Sequence, residues 1–369
     1  MKNSIWEYID LANEEKETLW ENATFVFDAN VLLNLYRYSS KTGNILIGAF
    51  EKLSDRIWIP HQVAYEFMKN RCEVIFDVCN KYDSFERDKE DFLSKAKSLS
   101  NLQEIDVEIT QLRQTLDQWI ETSRSKNIQV KNPNEDVILN RVLDLFDGKT
   151  GTRYDTGRTA ELKKIGEKRF LEKIPPGYED NNKKLSDKND NNAFGDFFVW
   201  MQTIDYATVN HKDIIYVTSD QKEDWWYKVK GRTVGPRVEL RKEFRDATGQ
   251  LFHMYSMNFF IEYYSKKYNH ANNESVIEEV KRVETERNRL NRTNYSRAEK
   301  LAHNISRMEI KIQRSQRTID SLLHKYVGSG YPLPSDVQTQ INNTKRNLDV
   351  KIASLNKMKE DYSKQLLLE

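Results

Sequence analysis

Between Thr24 and Tyr82 the pattern of apolar positions switches twice from strand period to helix period. "TFVFD" is a short apolar run that predicts a strand ending in Asp28, and "NVLLNLYRYS" opens a helix directly after it. "KTGNILIGAFEKLSD" continues as amphipathic helix, with Ile45, Leu46, Ala49, Phe50 and Leu53 at near-helical spacing. "RIWIP" predicts a second strand, stopped by Pro60. "HQVAYEFMKNRCEVIFDVCNKY" predicts a second helix, with Val63, Phe67, Val74, Ile75 and Val78 at its apolar positions. Strand and helix in alternation point to a parallel sheet with crossover helices.

The alternation then stops. Residues 83–126 are highly charged and helical in pattern, which predicts one or two long helices inserted into the α/β domain. "NEDVILNRVLDLFDGKTG" predicts a short helix with a glycine stop. A polar loop is expected over about residues 174–193, and loops of that length are usually functional or disordered. The α/β pattern resumes with "NAFGDFFVWMQTIDYATVN" as helix, "KDIIYVTSD" as strand and "QKEDWWYKVKG" as a helix start or turn. "LFHMYSMNFFIEYYSKKY" closes the domain with a strand and a helix. From Asn272 the composition changes. Val276, Val280, Val283 and Leu290, and then Leu301, Ile305, Met308, Ile312, Ile319, Leu322 and Tyr326, follow a helical seam. "VGSGYPLPSD" breaks it and a second helical stretch follows, which predicts a helical hairpin or coiled coil turning near Gly328 to Pro334. The expected domains are therefore residues 1–271 and residues 272–369.

Charge and composition narrow the partners only slightly. The net charge is +1; residues 272–369 carry 18 basic and 13 acidic side chains, and the body before them 40 and 44. No apolar run approaches the ~20 residues that span a bilayer. The N-terminal "MKNSIWEYIDLANEEK" has no signal pattern, so a cytoplasmic protein without a membrane partner is expected. Cys72 and Cys79 match no zinc spacing and are expected to be buried thiols.

Four carboxylates fall at strand ends or helix starts: Asp28, Glu66, Asp196 and Asp220, with Asp224 four residues after the last. In an open parallel sheet the strand C-termini and the helix N-termini that follow share one edge, where ligands bind. Four ionised carboxylates at one point require cations, and hard oxygen donors suit Mg²⁺ or Mn²⁺. Each acid also has a plainer reading. Asp28, Asp196 and Asp220 could each cap the next helix, and Glu66 could be a solvated helix residue.

Five stretches in order, "FVFDANVLLNLYRY", "RIWIPHQVAYEFMKNR", "IPPGYED", "FGDFFVW" and "IIYVTSDQKEDWW", resemble the PIN-like domains of bacterial proteins. "GPRVELRKEF" and "LFHMYSMNFF" resemble the same branch, and the match covers roughly residues 20 to 265. The resemblance implies an α/β/α sandwich of three layers around a mainly parallel sheet, here with a helical insertion and C-terminal helices outside the family pattern. It implies a metal-dependent nuclease acting mostly on RNA, and it allows a bacterial defence or toxin-like setting. By it Asp28, Glu66, Asp196 and Asp220 are the metal-holding catalytic acids, and Asn30 is the polar residue after the first. No catalytic histidine is needed; His61, near Glu66, is expected to be a surface residue at a helix start.

A substrate strand needs cations beside the acids. Lys222, Lys228, Lys230, Arg232, Arg237 and Arg241 follow Asp220 with Trp225, Trp226 and Tyr227 among them, and Arg71 follows Glu66. Basic residues track phosphates and aromatics stack unpaired bases; the plain alternative is core tryptophans beside a solvated basic face. RNA is the favoured partner, with DNA the other candidate. The C-terminal helices are expected to mediate self-association or docking to a protein, with a nucleic-acid arm as a third use. Two competing functions remain at this level. A haloacid-dehalogenase-like phosphatase would want an acid where Asn30 stands, and a non-catalytic interaction module would use the acids as caps.

Overall fold

The computed structural model describes residues 4–98, 103–179, 191–268, 274–293, 297–326 and 333–366. They fall into two compact units, one up to Glu286 and one from Arg287 onward. The first opens with helix α1 (Asn13–Asn22), strand β1 (Thr24–Phe27), and helices α2 (Ala29–Asn34) and α3 (Ser40–Lys52). Strand β2 (Ile57–Trp58) leads into α4 (His61–Lys97) and α5 (Gln103–Asn127), then α6 (Val137–Phe146), α7 (Thr156–Glu172) and α8 (Gly195–Asn210). Strands β3 (Ile214–Thr218), β4 (Trp226–Val229) and β5 (Arg232–Pro236) precede α9 (Val238–Thr248). Strand β6 (Phe252–Ser256), α10 (Met257–Lys267) and α11 (Glu274–Thr293) complete the series.

The central sheet has the order β2-β1-β3-β6, and every pairing in it is parallel. All residues of β1, β2 and β3 are buried, as expected when crossover helices cover both faces of a parallel sheet. Side chains alternate between those faces. Phe25 and Phe27 meet Trp20, Phe50 and Phe260 on one side. On the other, Tyr216 stacks on Trp225 with ring centroids 5.0 Å apart, and Trp200, Phe244 and Phe252 pack alongside. Val26 is the register partner of Tyr216 and Phe27 that of Val217, so Asp28 follows on the Tyr216 face, opposite Thr218.

Four sequence expectations change in the structure. The helix after β1 is two helices, because Ser39 restarts the chain as the N-cap of α3, its hydroxyl accepting from the Thr42 amide at 3.4 Å. The insertion does not begin at residue 83: α4 runs unbroken through it, and α5 packs back along it. Pairs such as Arg124–Asp83, 3.1 Å, and Phe85–Trp119 line that contact. "WYKVKGRTVGP" forms an antiparallel hairpin, not a helix, because Lys230 and Gly231 both have positive φ (50° and 78°), the backbone of a two-residue hairpin turn. The two cysteines are free and only half-buried.

Among the C-terminal helices, Val276, Val280 and Val283 of α11 are buried within the core of the first unit, and Glu279 accepts hydrogen bonds from Ser39 and Thr42. In the second unit α12 (Arg297–Tyr326) and α13 (Ser335–Leu366) pack together around Ile319, Val337, Ile341 and Leu348. Most of the expected turn from Gly328 to Pro334 lies outside the described residues. Among the described residues no helix is long and apolar enough to cross a membrane.

His253 on β6 supplies a test of this core. Burial pushes its pKa down to about 4, with Asp10 opposing and Lys16 and Arg241 adding to the fall. An unfolded histidine takes up its proton near pH 6.5, whereas the native one stays neutral until about pH 4. Its stabilising contribution is therefore complete above pH 6.5 and declines as the pH falls toward 4. We expect it to account for about 2 kcal/mol of stability lost between pH 7 and pH 5. Urea unfolding of His253→Phe should lack that share of the decline; the same slope as in the native protein would refute the assignment.

Candidate functional site

The site forms where β1 and β3 end side by side. Asp28 occupies the N-cap position of α2, yet its carboxylate makes no capping bond. It accepts instead from the Thr218 hydroxyl at 2.6 Å and from the Asn30 amide. The Asn30 nitrogen also faces Thr218 at 3.1 Å, and its oxygen accepts from the Ser219 amide at 2.8 Å. It therefore clamps the two strand ends together rather than reaching outward to a ligand. The Thr218 hydroxyl also accepts from the Asp220 amide at 2.9 Å, which joins the first acid to the fourth. Asp220 caps no α-helix; its carboxylate accepts from the Lys222 amide at 2.9 Å and turns the chain.

The other two acids arrive on helices. Glu66 lies in the second turn of α4, where Gln62 donates to its Oε1 at 2.8 Å. Asp196 is in the first turn of α8, whose N-cap is Phe194. Gly195 brings these two helices together: a methyl group on its Cα would collide with Oε1 of Glu66. Trp225 donates from its indole to Asp196 at 3.3 Å, and Trp226 to the Asp220 carbonyl at 2.6 Å. Both tryptophans are buried, so they brace the acids and do not stack bases. Asp224 is wholly buried and accepts from the amides of Gly177 at 2.8 Å and Glu179 at 3.2 Å. It holds the "IPPGYE" turn against the site rather than facing a ligand.

Tyr216 reports the charge of the cluster. Its hydroxyl is buried with no hydrogen-bond partner among the described residues. Its pKa stands well above the ordinary tyrosine value, first through burial and then through the negative charge of Asp28, Asp196, Glu66 and Asp220. Asp28 and Asp220 are joined through Thr218, and Asp220 and Asp196 through Lys222. Lys222 balances part of that charge, with its ammonium 3.1 Å from Asp196 and 3.1 Å from Asp220. Among the described residues no group of three His, Cys, Asp or Glu side chains is gathered as the ligand set of a metal ion. The donor chemistry nonetheless fits a hard divalent cation, since the ligating groups on offer here are carboxylate oxygens. The Lys222 ammonium fills the corresponding electrostatic role between two of the acids.

The expected nucleic-acid residues are dispersed. Lys222 is held by the acids. Arg71 pairs with the buried Asp136 at 2.8 Å, and Asp136 also accepts from Tyr36 and caps α6. Arg241 donates to the carbonyls of Glu7 and Ile9, and Arg237 pairs with Glu239. Lys228 reaches the Gln221 carbonyl. Lys230 and Arg232 stand exposed on the hairpin. Sequence reading missed Thr218, Gln62, Gly195 and Tyr216; the period-two placement of Tyr216, Thr218 and Asp220 was the one available signal.

An open parallel sheet with acidic side chains from separate elements at its C-terminal edge defines the α/β frame of the site. The chain belongs to the PIN-like domain family, whose model matches residues 24–240. No curated protein and no solved structure matches it.

Two substitutions test this wiring. Arg71→Ala leaves Asp136 buried without its cation and should cost about 3 kcal/mol in chemical unfolding; unchanged stability with weakened nucleic-acid binding would return Arg71 to the substrate side. Lys222→Met removes the internal counter-charge. Without divalent ions its stability should fall by roughly 1 kcal/mol, a figure discounted for partial solvent exposure. The rise in Tm on adding Mn²⁺ should exceed that of the native protein, and equal rises would rule out this role for Lys222.

Proposed function

We propose that the protein is a metal-dependent nuclease that hydrolyses phosphodiester bonds, with RNA the favoured substrate. The observations that carry this reading are the family match over residues 24–240 and the linkage of Asp28 to Asp220 through Thr218 and of Asp220 to Asp196 through Lys222. Carboxylates linked in this way are stabilised by a cation among them, the role that Lys222 plays between Asp196 and Asp220. Mg²⁺ or Mn²⁺ held by these carboxylates would activate water and neutralise charge on the phosphoryl group.

The remaining work falls to the chain itself. Thr218 and Asn30 hold the Asp28 carboxylate in one rotamer, so its orientation is set before substrate arrives. Gln62 does the same for Glu66, and Trp225 for Asp196. Lys222 offsets part of the charge of Asp196 and Asp220 in the resting state. The phosphatase alternative loses ground here, because the Asn30 amide is spent on Asp28, Thr218 and Ser219 and offers no proton to a leaving group.

Asp28→Asn is the direct test. The asparagine oxygen can still accept from Thr218, and one negative charge is removed, so the Tm without divalent ions should stay equal or rise. Cleavage of labelled tRNA, mRNA, single-stranded DNA and duplex DNA with Mn²⁺ should fall at least about a hundred-fold for whichever substrate the native protein cuts. Undiminished cleavage by the substituted protein at matched Mn²⁺ would end the nuclease reading of this site. No Mn²⁺-dependent thermal shift in the native protein would leave a non-catalytic module.

A further inference from the structure

A cleft of about 790 Å³ opens beside the acidic cluster, between the first turns of α4 and α7. Its size lies within the range of sites that enclose small ligands. Gln62 lines it and at the same time donates to Glu66, so the cleft begins one helical turn from the acids. Its floor is ordered. The Gln202 side chain accepts from the Gln62 amide at 3.0 Å, and the buried Phe198 lies beneath.

The walls carry cations that the protein itself does not use. Arg153 is exposed and Lys163 half-buried, and neither makes an ion pair or a side-chain hydrogen bond with another described residue. Arg71, Arg169 and Arg237, by contrast, are all paired with carboxylates. Asp155 is the single acid among the lining residues, and its Oδ1 accepts from the Arg158 amide at 2.7 Å as the cap of α7. The lining thus carries two cations against one acid, and His61 on its wall is held below its ordinary pKa by burial and by Arg153. Two aromatic rings complete it. Tyr154 is fixed, its hydroxyl donating to the Asp205 carboxylate. Tyr65 is 42% exposed and its hydroxyl carries no such anchor; the Lys69 ammonium lies over its ring, 5.9 Å from the centroid, and the exposed remainder of the ring is what a flat partner could meet.

Unpaired cations, a partly exposed aromatic ring and hydroxyls at one cleft match the chemistry of a nucleotide: phosphate on the cations, base on the ring. We propose that this cleft seats one or two unpaired nucleotides of the substrate strand next to the bond that is cut, with Arg153 and Lys163 on phosphates and Tyr65 against a base. The proposal rests on the nuclease reading of the acidic cluster. It takes a single strand, because stacking on Tyr65 needs a base free of its partner.

The test uses the full chain carrying Asp28→Asn, so that strands bind without being cut, and fluorescence anisotropy of short labelled oligonucleotides across a salt series. In that background Arg153→Ala with Lys163→Ala should weaken single-strand binding at least about ten-fold at low salt. The slope of log affinity against log salt should become shallower by roughly one to two. Tyr65→Ala should weaken binding about ten-fold with little change in slope, and Tyr65→Phe should restore it. Thermal unfolding verifies that each variant is folded, as expected for exposed or half-buried positions. Unchanged affinity in folded variants, or a duplex held as tightly as the single strand, overturns the proposal. If the native protein cuts strands while these variants bind normally, the cleft fails and the nuclease reading survives. If the native protein cuts nothing but the variants lose single-strand binding, the nuclease reading fails and the cleft stands as a strand-binding site. RNA and DNA oligonucleotides of one sequence, run in parallel, identify which strand it prefers.

Discussion

The pairing of β1 with β3 is the constraint on which the rest of the site depends. Their register makes Val26 the partner of Tyr216 and carries Asp28 to the end of β1 opposite Thr218. A slip of one residue would turn every side chain of β1 to the other face. Asp28 would then face the cluster of Trp20, Phe50 and Phe260, where an ionised carboxylate has no partner, and Phe25 and Phe27 would leave it. The buried aromatic side chains thus enforce a register whose functional consequence is the placement of a carboxylate. Asn30 and Thr218 add a polar lock, because their hydrogen bonds are satisfied only when the two strand ends are level.

Negative charge is the second constraint. Carboxylates at a buried sheet edge repel one another and lose hydration, and the protein answers with several modest devices. Hydrogen bonds from Thr218, Gln62 and Trp225 each stabilise an ionised oxygen. The Lys222 ammonium bridges two of the acids, Asp196 and Asp220. Tyr216 is left neutral beneath them, since ionising it would add a fifth negative charge to an apolar layer. The "IPPGYE" turn is tied to the same region through Asp224, and Arg169 links it to Glu243 and so to α9.

The long α4 joins two parts of the molecule that read as separate in one dimension. Its first turns supply Glu66, Gln62 and one wall of the basic cleft, and its later turns pair with α5 through surface ion pairs. A continuous helix is stiff over such a length, so the position of α5 is set by the same element that positions the second acid.

Much was legible in the sequence for one reason: a strand ending in a polar residue and a helix of 3.6-residue period leave a mark on neighbouring positions. The four strands of the central sheet, the helices α4, α6, α8 and α10, and the acids at their ends were readable that way. The five motifs in order pointed to the family that the chain belongs to. Roles that depend on residues far apart in the chain left no such mark. "KEDWW" looks like a helix start until Lys230 and Gly231 fold it into a hairpin and both indoles donate toward the acids. Lys222, Arg71 and Arg241 look like a row of phosphate contacts, and only the fold gives each an internal partner. Arg153 and Lys163 carry no motif, and only the approach of α7 to α4 gathers them into a cleft with Tyr65. Local order is written in the spacing of apolar residues, which a single stretch contains. Which charges end up satisfied is a property of distances between stretches, and those exist only in the folded chain.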